Sequence, residues 1–247
     1  LCPRHCDPRF DAYRLLGERA AIAGLGRRGR VSAGGACHLL DTADGALALN
    51  LARDDDHELL PAWLEQPVAG MGELAEILRA RPTMALVQRA RLLGLAAAAL
   101  VAPRPRRAWF RATRHAPARR DGRTAPLVID LSSLWAGPLC AQLLAGCGAR
   151  VIKVESTARP DGARGGPARF YDLLNAGKES VALDFRDPAD RKRLHALLAQ
   201  ADIVIESARP RALEQLGIHA AQLLAARPGM VWLGITGYGR RAPMRDW

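Results

Sequence analysis

The chain has 247 residues, 49% hydrophobic and 25% charged, an ordinary globular composition that excludes a disordered or collagen-like chain. Its longest apolar run, Leu92 to Ala102, has 11 residues, short of the roughly 20 that a membrane-spanning helix needs. No charged-then-apolar segment opens the chain, so no secretory signal is expected.

The net charge of +11 is unevenly spread. Residues 1–102 carry equal numbers of basic and acidic side chains, whereas residues 103–123 carry eight Arg and one Asp. A basic run of this kind can bind nucleic acid. No nucleic-acid motif accompanies it, and only three of the 36 basic residues are Lys, an Arg bias that runs through the whole chain. Pro103, Pro105 and Pro117 with like charges disfavour a packed element, so 103–123 reads as an extended linker. It divides a smaller α+β region, 1–102, from a second domain, 124–247.

In the first region Tyr13 to Ala23 has helical spacing and Gly24 to Gly35 is loop-like. Within that loop Gly24-Leu-Gly-Arg-Arg-Gly29 spells GxGxxG, but a helical stretch precedes it where a dinucleotide loop needs a strand. Leu47 to Leu51 reads as a strand after an Asp44-Gly45 turn. Helices are expected over Asp54–Leu64, Glu73–Leu78 and Met84–Leu93, with Pro82 between the last two. Five scattered cysteines do not form a disulfide framework and point to a reducing cytoplasm. Cys2 and Cys6 flank His5 without a second ligand pair, so no metal site is expected, and Cys140 and Cys147 read as small buried hydrophobes.

After the linker the rhythm changes. Short apolar strands are expected at 127–131, 151–154, 180–184, 202–206 and 230–235, separated by helices over Leu139–Gly146, Asp187–Gln200, Arg211–Leu216 and His219–Ala226. That alternation predicts an α/β fold, an open Rossmann-like parallel sheet with helices on both faces. Such sheets bind ligands at the carboxyl ends of their strands.

Those ends carry Asp130-Leu-Ser-Ser-Leu-Trp-Ala-Gly-Pro138, Val151-Ile-Lys-Val-Glu155, Asn175-Ala-Gly-Lys-Glu-Ser-Val-Ala-Leu-Asp184, Ala201-Asp-Ile-Val-Ile-Glu-Ser-Ala-Arg-Pro210 and Gly237-Tyr-Gly239. In order and spacing this series resembles the class III CoA-transferase family, the group of formyl-CoA transferase, carnitine CoA-transferase and alpha-methylacyl-CoA racemase. The resemblance covers about half of the chain, residues 124–245. It implies coenzyme A as carried group, an acyl-CoA and a carboxylic acid as partners, an interlocked homodimer in the cytoplasm, and an aspartate that forms mixed anhydrides and a thioester.

Carried over position by position, the resemblance puts Trp135 and Ala136, then Leu183, Asp184, Phe185 and Arg186, then Ser207, Ala208 and Arg209, against CoA. Arg186 and Arg209 would offer charge to its phosphates. Ser207 and Ala208 replace the usual Asn-Phe, and Ser156 and Gln215 stand where relatives carry Arg, which leaves fewer fixed cations. Lys153 and Lys178, two of three lysines, hint at a local requirement, with snorkelling as the plain alternative for Lys153. The resemblance places the nucleophilic aspartate beyond Trp247, so no residue here is assigned that role. Leu40 to Asn50 resembles the opening of the family's small domain, here before the large domain and not after it, which implies a permuted or fused arrangement. The rival readings are a CoA-binding module without catalysis, an acyl-CoA racemase and a nucleic-acid-associated protein using the Arg-rich segment.

Overall fold

Two adjacent residues, Ala43 and Asp44, close the first hairpin of the chain. They join β1 (Cys37–Thr42) to β2 (Gly45–Asn50), and β2 pairs in turn with β3 (Ala96–Ala99) to give an antiparallel sheet in the order β1-β2-β3. The Asp44 carboxylate fixes the turn by accepting from the Thr83 amide at 2.7 Å and the Thr83 hydroxyl at 2.6 Å. In this computed structural model residues 11–102, 110–117, 125–237 and 239–240 are described. Most of the segment expected as a linker lies outside them, and its described part, 110–117, contains no helix or strand.

The chain forms two units. One runs Gly24–Arg111; the other joins the residues up to Ala23 to those from Ala112 onward. Helix α1 (Arg14–Ile22), placed by the sequence reading in the first region, therefore goes with the second unit. The Gly24–Gly29 motif follows this helix, and no strand precedes it among the described residues.

In the Gly24–Arg111 unit the alternation of β2 turns Leu47 and Leu49 inward, where they are fully buried against Trp63, Leu74, Leu78 and Leu86. The Trp63 indole N–H donates to the Leu86 carbonyl at 2.9 Å, which satisfies its one polar atom in the core. The helix expected over 54–64 is broken into α2 (Asp54–Glu58) and α3 (Leu60–Leu64). Pro61 explains the break: it suits a first helical turn but lacks the N–H that a continuing helix would use. Helices α4 (Met71–Arg79) and α5 (Thr83–Leu92) fall on either side of Pro82. Strands β1 and β3 were not expected. The first mixes polar and apolar residues and is half-buried, and the second is all Ala, so both form by pairing with β2 and not by propensity.

The second unit is built on five parallel strands, β4 (Leu127–Leu131), β5 (Arg150–Ser156), β6 (Glu179–Leu183), β7 (Ile203–Glu206) and β8 (Val231–Gly234), in the order β6-β5-β4-β7-β8. Every neighbouring pair is parallel, with Leu127 opposite Arg150 and Val128 opposite Ile203. The fold is the α/β, Rossmann-like sheet read from the sequence. Alternate residues serve two faces. Val128, Val151 and Ile205 pack beneath α6 (Ala136–Gly146), while Leu127, Ile129, Ile152, Val154 and Val204 pack with Leu194 and Leu198 of α8 (Pro188–Gln200). The Asp187 carboxylate caps α8 by accepting from the Ala189 amide at 3.0 Å. Helices α9 (Pro210–Gln215) and α10 (Ala220–Ala226) precede β8. No element was expected between β5 and β6, yet a 3-10 turn (Gly162–Gly165) and α7 (Ala168–Asn175) occupy that connection. Cys147, read as a small buried hydrophobe, is disulfide-bonded, whereas Cys140 in α6 keeps a free thiol.

Candidate functional site

At the carboxyl ends of β4 and β5 the inward positions on the α6 face change from apolar to charged. Val128 is followed two residues on by Asp130, and Val151 by Lys153 and Glu155; all three charged side chains are buried. Charges in such a place must be paired or they would unfold the sheet. Lys153 and Asp130 stand opposite each other in the strand register, yet each takes a different partner. The Lys153 ammonium donates to the Asp161 carboxylate at 2.8 Å and to the Ser132 carbonyl at 3.1 Å. The Lys178 ammonium donates to Asp130 at 3.0 Å, to the Pro138 carbonyl at 2.9 Å and to the Asn175 side-chain oxygen at 3.1 Å. Both lysines therefore clamp loops from below, and Lys153 does not snorkel.

Asp161 sits at the centre of the cluster. Its carboxylate also accepts from the Leu134 amide and the Ala163 amide, each at 2.9 Å, while its own N–H donates to Glu155 at 2.9 Å. Glu155 in turn accepts two bonds from Arg164, at 3.0 Å and 2.6 Å, and Arg164 lies 4.4 Å over the Tyr171 ring. Burial works to raise the pKa of Asp161, but Lys153 and the two amides outweigh it and hold the carboxyl below its usual range. The Arg164 guanidinium does the same for Glu155, against burial. Burial pushes the Lys178 ammonium down, with Asp130 opposing.

The cluster exists to shape the loop between β4 and α6. Asp130 accepts from both the amide and the hydroxyl of Ser132, which turns the chain sharply at the strand end. Leu134 then adopts φ +72°, a left-handed conformation that is rare for a branched residue, and the bond from its amide to Asp161 holds it there. Gly137 completes the turn: a Cβ at this position would overlap the Ser132 side chain. The loop so formed leaves Leu134 on the surface and places Trp135 at the start of α6.

The nine residues singled out in the sequence lie at the carboxyl edge of the sheet, in two groups. Trp135 and Ala136 open α6 beyond β4; Ser207, Ala208 and Arg209 follow the adjacent β7. A hydrogen bond of 3.2 Å from the Ser133 amide to the Ser207 hydroxyl joins these two loops. Ala208 donates its amide to buried Glu206 at 3.0 Å, and Glu206 also meets Arg240. The second group, Leu183 to Arg186, ends β6, two strand spacings or roughly 10 Å from β4. Leu183 is a core side chain, and its carbonyl accepts from the Thr157 amide at 3.0 Å. Phe185 packs into the same core. Asp184 accepts from the Arg186 amide and guanidinium at 2.9 Å and 3.1 Å, so the charge of Arg186 is already partnered. Arg209 is exposed, with no carboxylate bonded to it among the described residues.

Asp161, Arg164, Phe170 and Arg19 were missed by sequence reasoning. Asp161 carried a signal, since Asp before Gly commonly caps a turn, and its carboxylate does cap the 3-10 turn. Arg19 carried none, because α1 is far from the strand ends in sequence. Among the described residues no group of three or more His, Cys, Asp or Glu side chains is placed to hold a metal, and no helix is long and apolar enough to cross a membrane.

Comparison with known proteins decides the family. Residues 126–247 match CoA-transferase family III. Through this segment the chain belongs to that family. It is 35% identical over 126 residues to succinyl-CoA–D-citramalate CoA-transferase of Chloroflexus aurantiacus, covering 48% of this chain and 31% of that protein. It is 37% identical over 130 residues to (R)-2-hydroxy-4-methylpentanoate CoA-transferase of Clostridioides difficile, covering 48% and 32%. Among solved structures a CaiB/BaiF family protein from Brucella suis matches 49% of this chain and 35% of its own at 33% identity, with a TM-score of 0.45. The chain thus spans about a third of the length of the curated relatives it matches.

Proposed function

We propose that this chain supplies the CoA-binding part of a class III CoA-transferase, which moves CoA between two carboxylic acids. The carrying observation is the loop after β4. Two lysines whose side chains are buried and three buried carboxylates are spent on holding it, and it lies in the segment that matches family III. Buried charge of this amount is not needed to stabilise a sheet, since apolar packing does so at least as well. It is suited to fixing a loop against a ligand.

In this reading CoA lies along the carboxyl edge, with Trp135 and Ala136 on one strand end, Ser207 to Arg209 on the next, and Leu183 to Arg186 at the outer strand. Ser207 and Ala208 contribute through their backbone and small side chains, and Leu183 and Phe185 through the backbone turn they anchor. The separation of the two groups suits a long ligand. The resemblance assigns the covalent step to an aspartate, a role given to no residue named here. The aspartate carboxylate attacks the thioester carbonyl and releases CoA thiolate, which attacks the aspartyl carbonyl of the anhydride so formed, frees the first acid and leaves CoA as an aspartyl thioester. The second acid's carboxylate attacks that thioester, releasing CoA thiolate and forming a new anhydride, and the thiolate then attacks the acyl carbonyl to give the new acyl-CoA and the free aspartate. A homodimer and a cytoplasmic setting belong to the same reading, since CoA is anionic and does not cross membranes unaided.

Calorimetric titration of CoA into the chain tests the binding, and exchange of an isotope-labelled acid into an acyl-CoA tests the transfer. Saturable binding is expected. Absence of binding overturns the proposal, and binding without exchange reduces it to a CoA-binding module. Steeply salt-dependent DNA binding that is lost on deleting 103–123 would favour the nucleic-acid reading in its place.

A further inference from the structure

Helix α1 lies outside the family III segment but packs on α7. Its Arg19 guanidinium carbon sits 5.3 Å from the centre of the Trp135 ring and 5.9 Å from that of Phe170. The two rings meet edge to face, with centres 6.3 Å apart. A guanidinium in this position is attracted to the rings through its charge and needs none of its five N–H donors for the contact.

Several other arginines spend those donors on carboxylates. Arg164, stacked on Tyr171, gives two to Glu155. Arg150 gives two to Glu179, Arg186 two to Asp184 and Arg30 two to Asp41. Arg19 makes no hydrogen bond or ion pair through its guanidinium among the described residues. It is therefore held in position by aromatic rings while its charge and donor fork stay open. One of those rings is Trp135, the first residue of the site described above.

We propose that Arg19 binds a phosphate group of CoA, so that α1 adds a cation to the site from outside the family III segment. This rests on the CoA reading. A guanidinium placed beside aromatic rings, with no acceptor of its own among the described residues, matches a phosphate oxygen pair in geometry as well as charge. Both the pyrophosphate and the ribose phosphate offer that chemistry.

The test is calorimetric titration of CoA and of dephospho-CoA into the whole chain as wild type, Arg19→Ala, Arg19→Lys and Arg14→Ala, at several salt concentrations. Arg19→Ala is expected to weaken CoA about tenfold, the size of one charged hydrogen bond. It should also flatten the fall of affinity with salt, since one screened charge is gone. Arg19→Lys should fall between, and Arg14→Ala, on the same helix without ring contacts, should stay within about twofold of wild type. A loss seen with CoA and absent with dephospho-CoA assigns the ribose phosphate; a loss seen with both assigns the pyrophosphate. A weakened affinity with an unchanged salt slope would mean that Arg19 merely orients Trp135, and overturns the proposal. Unchanged affinity in Arg19→Ala overturns it while leaving the CoA reading intact, whereas failure of the wild type to bind CoA removes that reading itself.

Discussion

Lys153 and Asp161 form a 2.8 Å ion pair in which each side chain is 1% exposed, one from the middle of the sheet and the other from the connection that follows. Removing one partner leaves the other charged and buried. Lys153→Met is therefore expected to cost about 3–5 kcal/mol of folding stability. Lys153→Met combined with Asp161→Asn should cost less than the sum of the two single changes. Urea unfolding of the three variants measures this, and simple additivity would contradict the pairing.

Acid should loosen the same cluster. The folded-state pKa values of Glu155 and Asp161 are depressed, so their contribution is complete above the unfolded values, about 4, and is lost as pH falls below them. Urea midpoints taken from pH 7 to pH 3 should fall most steeply below about pH 4.5. Glu155→Gln and Asp161→Asn should each start lower and show a shallower fall. Parallel profiles for wild type and variants would contradict the assignment.

Gly137 has no room for a side chain. Gly137→Ala pushes a methyl group into Ser132 and should destabilise by about 1–3 kcal/mol. Gly146, at the other end of α6, has nothing within 4 Å of a built Cβ, so Gly146→Ala should be neutral or slightly stabilising. Thermal unfolding of the pair gives the comparison directly.

The two arginines of the strand-end loops proposed to meet CoA should not count equally. Arg186 already holds Asp184, whereas Arg209 is open to solvent. Arg209→Ala is expected to reduce CoA affinity about tenfold and Arg186→Ala by less. Neither should shift the unfolding midpoint appreciably, because exposed cations contribute little to folding. Equal losses would mean that CoA displaces Arg186 from Asp184.

The parallel sheet was legible because its strands are short runs rich in apolar residues, most of them set off by helical spacers. The loops that end those strands were legible through their Gly, Pro and Ser spacing. Lys153 and Lys178 could be picked out because a lysine is conspicuous in an arginine-rich chain. Their partners could not. Asp161 pairs with Lys153 and Lys178 with Asp130 across connections whose geometry no periodicity encodes. Strand β3 was hidden because Ala carries no strand preference, and the split between α2 and α3 because Pro61 fits the start of one helix as readily as it ends another. Arg19 lay beyond reach, since only the packing of α1 on α7 brings it to Trp135.

The two faces of the parallel sheet differ in a way that bears on how the protein can change. Beneath α8 the side chains are interchangeable in kind: Ile129, Val154 and Leu198 need only fill volume, and swaps that conserve it cost less than about 1.5 kcal/mol. Toward α6, at the strand ends, each buried charge is specified by its partner, so no single replacement is neutral and drift requires paired substitutions. A saturation scan of β4 and β5 should accordingly alternate residue by residue between permissive and unforgiving positions, with the contrast sharpening toward Asp130 and Glu155.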